Sequence, residues 1–224
     1  MGGARGRECR LESPPMSSAE TGAPNALVRI PLFPLKTVLF PRGRLALRIF
    51  EQRYLAMAKR CLGAGAPFGV CLITRGEEVA TPGAPDAPEF SQIGTFARIR
   101  AWDMPQLGIL QISADGGTRF AVRAHELMPD GLVVGDVAAI ETEPALAITA
   151  ERRGLAELLR HLAERIGTQH FPDDHAFDDA SWVGNRLAEI LPLPPAMKQV
   201  LLEMNDADAR LSALQRFIDE RVAS

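Results

Sequence analysis

The sequence predicts an α+β fold: a β-rich N-terminal part carrying one helix, followed by a C-terminal four-helix subdomain. Two observations carry this reading. Apolar residues alternate at period two, with one interruption, up to about Glu143, and recur at helical spacing after Pro144. Strands run first and helices second, with no internal repeat, which separates α+β from a βαβ architecture. With 46% hydrophobic residues in 224, the chain can bury a sizeable core.

Taken in order, residues 1–26 are rich in Gly, Ser, Pro and Ala and are expected to be a disordered tail. Met16 is a second candidate start. A β-rich unit is expected over 27–145 and a helical unit over 146–224. LVRIPLF (27–33) alternates as a strand; Pro31 and Pro34 cannot donate ladder hydrogen bonds, which predicts an edge strand or a bulge. Pro41-Arg42-Gly43 is a turn, and RLALRIF (44–50) is a strand with Leu45, Leu47 and Ile49 on one face. Phe50, Tyr54, Met57, Ala58 and Cys61 then make a helical stripe, with Glu51 in the first turn and Gly63 and Gly65 at the stop. PFGVCLIT (67–74) is a buried strand. The segment 75–92 has Pro82, Pro85 and Pro88 at every third position and reads as an extended exposed loop. Four strands follow, IGTFARIRAW, LGILQIS, TRFAVRAHEL and GLVVGDVAAIE, with ADGG (114–117) and MPDG (128–131) as turns. In the helical part, Leu155, Leu158, Leu159, Leu162 and Ile166 form the first stripe. Ser181 is expected to cap the second helix and Pro194-Pro195 to open the third, which carries Met197, Val200, Leu201 and Met204. Asp206 or Asp208 is expected to cap the fourth.

Composition excludes several functions. A net charge of −3 gives no electrostatic case for nucleic acid. No apolar run approaches the roughly 18 residues of a membrane span, and the N-terminal arginines are not followed by a signal-peptide core. Cys9, Cys61 and Cys71 are too scattered for a disulfide framework, which suits a reducing, cytoplasmic compartment. Lysine is confined to Lys36, Lys59 and Lys198, an arginine-for-lysine bias that points to a bacterial source.

Catalytic chemistry finds little footing. GAGAPFG (63–69) lacks the ending of a P-loop. His170, Asp173, Asp174, His175, Asp178 and Asp179 cluster in one loop but match no ligand spacing, so no metal and no cofactor is expected. Ser113 beside Asp115 reads as a turn residue, and Lys198 as a solvated helix face without a serine partner. Arg119 could bind an anion or pair with a carboxylate such as Glu51. Tyr54 reads as partly buried. The chain is therefore not expected to be an enzyme.

One ordered set of motifs is specific. IPLFPLKTVLFPRGRLALRIFEQRY (30–54), IGTFARI (93–99), GGTRFAV (116–122) and LAEILPLPPAMKQVLLEMNDADARLSALQRFI (187–218) resemble, in order, the Lon protease N-terminal, or LON substrate-binding, domain family. The matching positions are Pro31, Phe33, Pro34, Leu35, Phe40, Pro41, Leu47, Phe50, Glu51, Arg53 and Tyr54, then Gly94, Arg119 and Phe120. Arg42 stands where the family often has glycine directly. The resemblance implies a PUA-like pseudo-barrel for the β-rich part, and a stand-alone member without the ATPase and protease modules. It implies non-catalytic binding of unfolded or exposed polypeptide, with a protease or chaperone partner and a role in protein quality control. Pro31, Pro34, Pro41, Phe50, Glu51, Arg53, Tyr54, Gly94, Arg119 and Phe120 are expected to be structural, and Phe33, Phe40, Arg48, Tyr54 and Arg119 are the binding candidates. RNA binding, through an arginine face of Arg98, Arg100, Arg119 and Arg123, and an enzyme of unrecognised type are the alternatives.

Overall fold

Strand β2 (Leu27–Leu35) organises the sheet, and its prolines show how. In this computed structural model, which describes residues 9–10, 26–78, 88–167, 171 and 175–222, β2 is central. It pairs antiparallel with β7 (Val133–Ala139) over Leu27–Leu32 and parallel with β4 (Phe68–Arg75) over Leu32–Leu35. The strand changes partners at Leu32. Pro31 therefore precedes the β4 ladder and Pro34 follows the β7 ladder, so each proline has one unpaired flank. The edge-strand expectation is corrected: a missing N–H is tolerated inside a sheet where only one neighbour is present.

The remaining strands close the sheet on itself. β5 (Glu89–Gln106) pairs with β4 and with β6 (Ile109–Leu127), and β6 pairs with β7, giving the ring β5–β4–β2–β7–β6–β5. β3 (Arg44–Ile49) adds to the outer edge of β6, and the two-residue β1 (Cys9–Arg10) adds to β5. The rest of the expected disordered tail except Ala26, and residues 79–87 of the proline-rich loop, lie outside the described residues. Expected separate strands at 107–113 and 118–127 are one strand, β6, and Ala114–Gly117 runs through its middle. Gly116 is there for proximity: a Cβ on it would lie 2.3 Å from the Phe40 carbonyl oxygen. The β5–β6 hairpin turns instead at Leu107-Gly108, where Gly108 has φ 83°. Ser113, expected in a turn, is a ladder residue opposite Ala46 and Ala101.

The period-two pattern sorts side chains between two cores. Ile30 and Leu32 face the barrel interior with Cys71, Phe96, Phe120 and Val137. Phe33 and Leu35 face the opposite side, under α1 (Gln52–Ala64), with Tyr54, Met57, Ala58 and Cys61. Phe50 precedes this helix and is exposed, so the stripe begins at Tyr54. Gly65, with φ 60°, stops the helix.

A third core belongs to α2 (Arg153–Ile166), α3 (Ala180–Ile190), α4 (Pro195–Glu203) and α5 (Ala207–Val222). α2 turns Leu155, Ala156, Leu159 and Ala163 inward and leaves Ile166 exposed. α4 buries Gln199, Leu201 and Leu202, not Met197 and Val200. Asp179, rather than Ser181, caps α3 by accepting from the Ser181 N–H; Asp206 caps α5 by accepting from the N–H groups of Asp208 and Ala209. Val38, Phe40 and Leu72 from the strand-rich part are buried in this helical core, which joins the two parts.

Candidate functional site: the joint and the barrel arm

The joint between barrel and helices begins at the Phe-Pro-Arg-Gly turn. Gly43 N–H donates to the Phe40 carbonyl at 3.0 Å, and Arg42 takes φ 56°. Arg186 of α3, almost fully buried, donates to the carbonyls of Pro41 (2.8 Å) and Arg42 (2.7 Å) and pairs with Glu189 at 2.9 Å. Thr95 donates to the Leu39 carbonyl at 2.6 Å. Lys198 is half-buried rather than solvated, with its Nζ 2.6 Å from the Glu189 carbonyl oxygen; burial lowers its pKa, and Glu189 opposes that shift.

A second cluster centres on Glu143. Arg210 donates to both its carboxylate oxygens, at 2.5 and 3.0 Å, Ser181 Oγ donates at 3.0 Å, and Arg119 lies 3.4 Å away. Burial alone would raise the Glu143 carboxyl, but Arg210, Ser181 and Arg119 outweigh it and hold the group below the usual carboxylate range. Arg119 also donates to the carbonyls of Leu202 and Met204 and to Asn205 Oδ1. Its partner is thus Glu143, not Glu51. Between the two clusters opens a cleft of about 360 Å³, bounded by the Pro41-Arg42 turn, Gly116–Arg119, residues 140–145 and the start of α3.

The sequence-derived candidates separate into distinct places. Phe33, Phe40, Tyr54 and Arg119 are buried, and Arg48 lies exposed on β3. Tyr54 stacks on Phe33 with ring centroids 3.9 Å apart, and burial pushes its hydroxyl up to about 12. Arg53 pairs with Glu51 at 2.9 Å, lies over the Tyr54 ring and donates to the Gly131 carbonyl at 2.7 Å, tying α1 to the β6–β7 turn. Gly94 makes room for the Phe120 ring: a Cβ there would lie 2.6 Å from Phe120 Cζ. The four arginines proposed for RNA share no open face, since Arg119 is buried, Arg100 pairs with Asp115 and Arg98 donates to the Gly65 carbonyl. Of the acidic loop, His170, Asp173 and Asp174 lie outside the described residues; among the described residues no three His, Cys, Asp or Glu side chains converge as metal ligands.

Sequence reasoning missed the arm made by the ends of β5 and β6. Beyond Ala97, β5 has left β4, and its outer edge carries β1 through Cys9 opposite Trp102 and Arg10 opposite Ala101. At the tip Leu107 is 93% exposed, Met104 46% and Trp102 38%. The signal was present in Trp102, Met104 and Leu107 crowding around a glycine, but it reads as surface only once the hairpin turn is placed at Gly108.

A closed small barrel, an added edge strand and a helical lobe locked to one barrel turn make up one class of α+β domain. The chain belongs to the ATP-dependent protease La (LON) substrate-binding domain family, whose model matches residues 29–220. Among solved structures it is similar to a Lon N-terminal domain protein from Xanthomonas campestris, with 34% identity and a TM-score of 0.67, covering 84% of this chain and 98% of that one. It also shares the fold of the N-terminal domain of Mycobacterium avium complex Lon protease, with 17% identity, a TM-score of 0.54, and coverage of 84% and 96%. No curated protein matches the chain. Among the described residues, no helix is long and apolar enough to cross a membrane.

Proposed function

We propose that the protein is a non-catalytic, cytoplasmic polypeptide-binding module that captures unfolded or exposed segments and presents them to a protease or chaperone as an adaptor in protein quality control. The observation that carries this reading is the β5–β6 arm. Among the described residues its outer edge beyond Ala97 is paired only at Ala101 and Trp102, by the two-residue β1, so an extended client could add there by displacing that short strand and cover the apolar side chains at the tip, the two ingredients of β-augmentation. Support comes from β1: an extended piece of this chain pairs antiparallel on that edge. Membership of a substrate-binding domain family points the same way.

The test is fluorescence anisotropy of a labelled, permanently unfolded polypeptide titrated with the full chain. Saturable binding that survives moderate salt is expected. The double variant Met104→Ser/Leu107→Ser should weaken it about tenfold, the size of one or two lost anchor contacts. Absence of binding by the wild type would sink the proposal.

A further inference from the structure

The outer edge of β5 carries a strand that the barrel does not need. The ring β5–β4–β2–β7–β6 closes without β1, and beyond Ala97 β5 has already left β4. β1 pairs there, antiparallel, with Cys9 opposite Trp102 and Arg10 opposite Ala101. Two ladder positions are few where strands usually run to roughly 3–10 residues, so little backbone pairing holds β1 in place.

The sequence around β1 has the form of what the edge would bind. Cys9 and Leu11 alternate with Glu8, Arg10 and Glu12, the period-two pattern of a strand with one apolar side. A polypeptide adding to a sheet edge is recognised by the same two features, backbone pairing and alternate side chains. The register also puts β1 in a client's way. Trp102, one of its two partners, is itself exposed, as are Met104 and Leu107 nearer the tip.

We propose that β1 is an internal competitor: the chain's own Cys9–Arg10 masks the outer edge of β5, and unfolded polypeptide binds by displacing it. The inference rests on the polypeptide-binding reading and supplies its regulation. Because β1 belongs to the same chain, it competes at an effective concentration that dilution does not lower. The apparent affinity for a client falls with the fraction of molecules whose edge is open, so an edge covered nine-tenths of the time binds about tenfold more weakly than a bare one. A merely structural β1 predicts otherwise: its loss would leave client binding unchanged or weaker.

Two variants of the full chain test this in the anisotropy titration of labelled, permanently unfolded polypeptide. Cys9→Pro/Arg10→Pro removes both backbone N–H groups of β1 and with them its hold on the ladder. This variant should bind about three- to tenfold more tightly than the wild type. Trp102→Cys places a second thiol opposite Cys9. Opposite residues of antiparallel strands have Cα atoms about 4.5–5.5 Å apart, within the range of a disulfide. Cys61 and Cys71 are buried, away from this edge. Oxidised with diamide, the variant keeps β1 on the edge and should bind about tenfold more weakly than after reduction with dithiothreitol; the lost indole is common to both states. Equal or weaker binding by the proline variant overturns the masking. So does equal affinity of Trp102→Cys with its disulfide formed and reduced, or failure of that disulfide to form. Failure of the wild type and the proline variant alike to bind unfolded polypeptide removes the proposed function itself, and the masking with it.

Discussion

Glu143 and its two arginines show how one residue can hold two halves of a chain together. The carboxylate sits on the connection out of the barrel, Arg119 comes from β6, and Arg210 comes from α5. Arg210 also donates to the carbonyls of Leu201 (2.9 Å) and Met204 (2.5 Å), so it satisfies backbone acceptors around the end of α4. Removing it would leave those carbonyls and part of the Glu143 charge without a donor. Arg210→Met is therefore expected to cost about 3–5 kcal/mol, the usual penalty for breaking a buried pair from one side. Urea denaturation of the two proteins measures it, and a loss below about 1 kcal/mol would show that water replaces the guanidinium. Sequence singled out Arg119 as a pairing residue but offered Glu51 as its partner. Charge complementarity cannot rank partners across long sequence separations, and the pairing depends on how the helical lobe docks. The same limit hid Arg186, which lies in an ordinary helical run and becomes notable only when its guanidinium meets the carbonyls of the Phe40–Gly43 turn.

At the scale of elements, periodicity was a good guide and punctuation a poor one. The alternation in β2 and the stripe of α1 follow from which faces are buried, and burial leaves its mark on every second or every third-to-fourth residue. Glycines leave a more ambiguous mark, because the same residue serves a turn, a close approach or a neutral helix position. The Ala114–Gly117 run was legible as a turn and is a strand, while the true turn at Gly108 had a single glycine. The prolines of β2 misled for a related reason: the rule against central-strand proline assumes neighbours on both flanks throughout, and β2 exchanges neighbours at Leu32. Two glycine substitutions separate these roles. Gly116→Ala places a Cβ against the Phe40 backbone and should destabilise by about 1–3 kcal/mol, as overpacking does. Gly63→Ala, in the last turn of α1 with open space around it, should stabilise by up to about 0.5 kcal/mol. Thermal melts of both variants decide the matter, and a shift of the same sign in both would refute the assignment.

For the whole molecule, the joint makes stability depend on pH. Glu189 lies against the barrel turn, accepts a hydrogen bond from the Phe40 N–H, pairs with Arg186 and is close to Lys198. Burial raises its carboxyl from 4.5 to about 7, with Arg186, the Phe40 N–H and Lys198 limiting the shift. Its side chain keeps 22% exposure, so the group can exchange protons without unfolding. A raised carboxyl means that between about pH 4.5 and 7 the folded chain binds more protons than the unfolded one. The stabilisation is present at the acid end of that window and is lost as pH rises through about 7, by about 3 kcal/mol. Glu143 works in the opposite sense: its folded pKa is depressed, so its contribution holds above the unfolded value of 4.5 and is lost as pH falls through the folded one. The two groups therefore act in separate pH ranges. Glu189→Gln keeps an acceptor for the Phe40 N–H and abolishes the titration. Denaturation midpoints of wild type and variant, taken from pH 5 to 8, should lie closest at the acid end, and the wild type should fall relative to the variant as pH rises, because the wild type alone loses stability from this site. Parallel profiles would show that the joint carries no proton of its own in this range, and that the barrel and the helical lobe stay locked by Arg186 and the Glu143 cluster whatever the charge on Glu189.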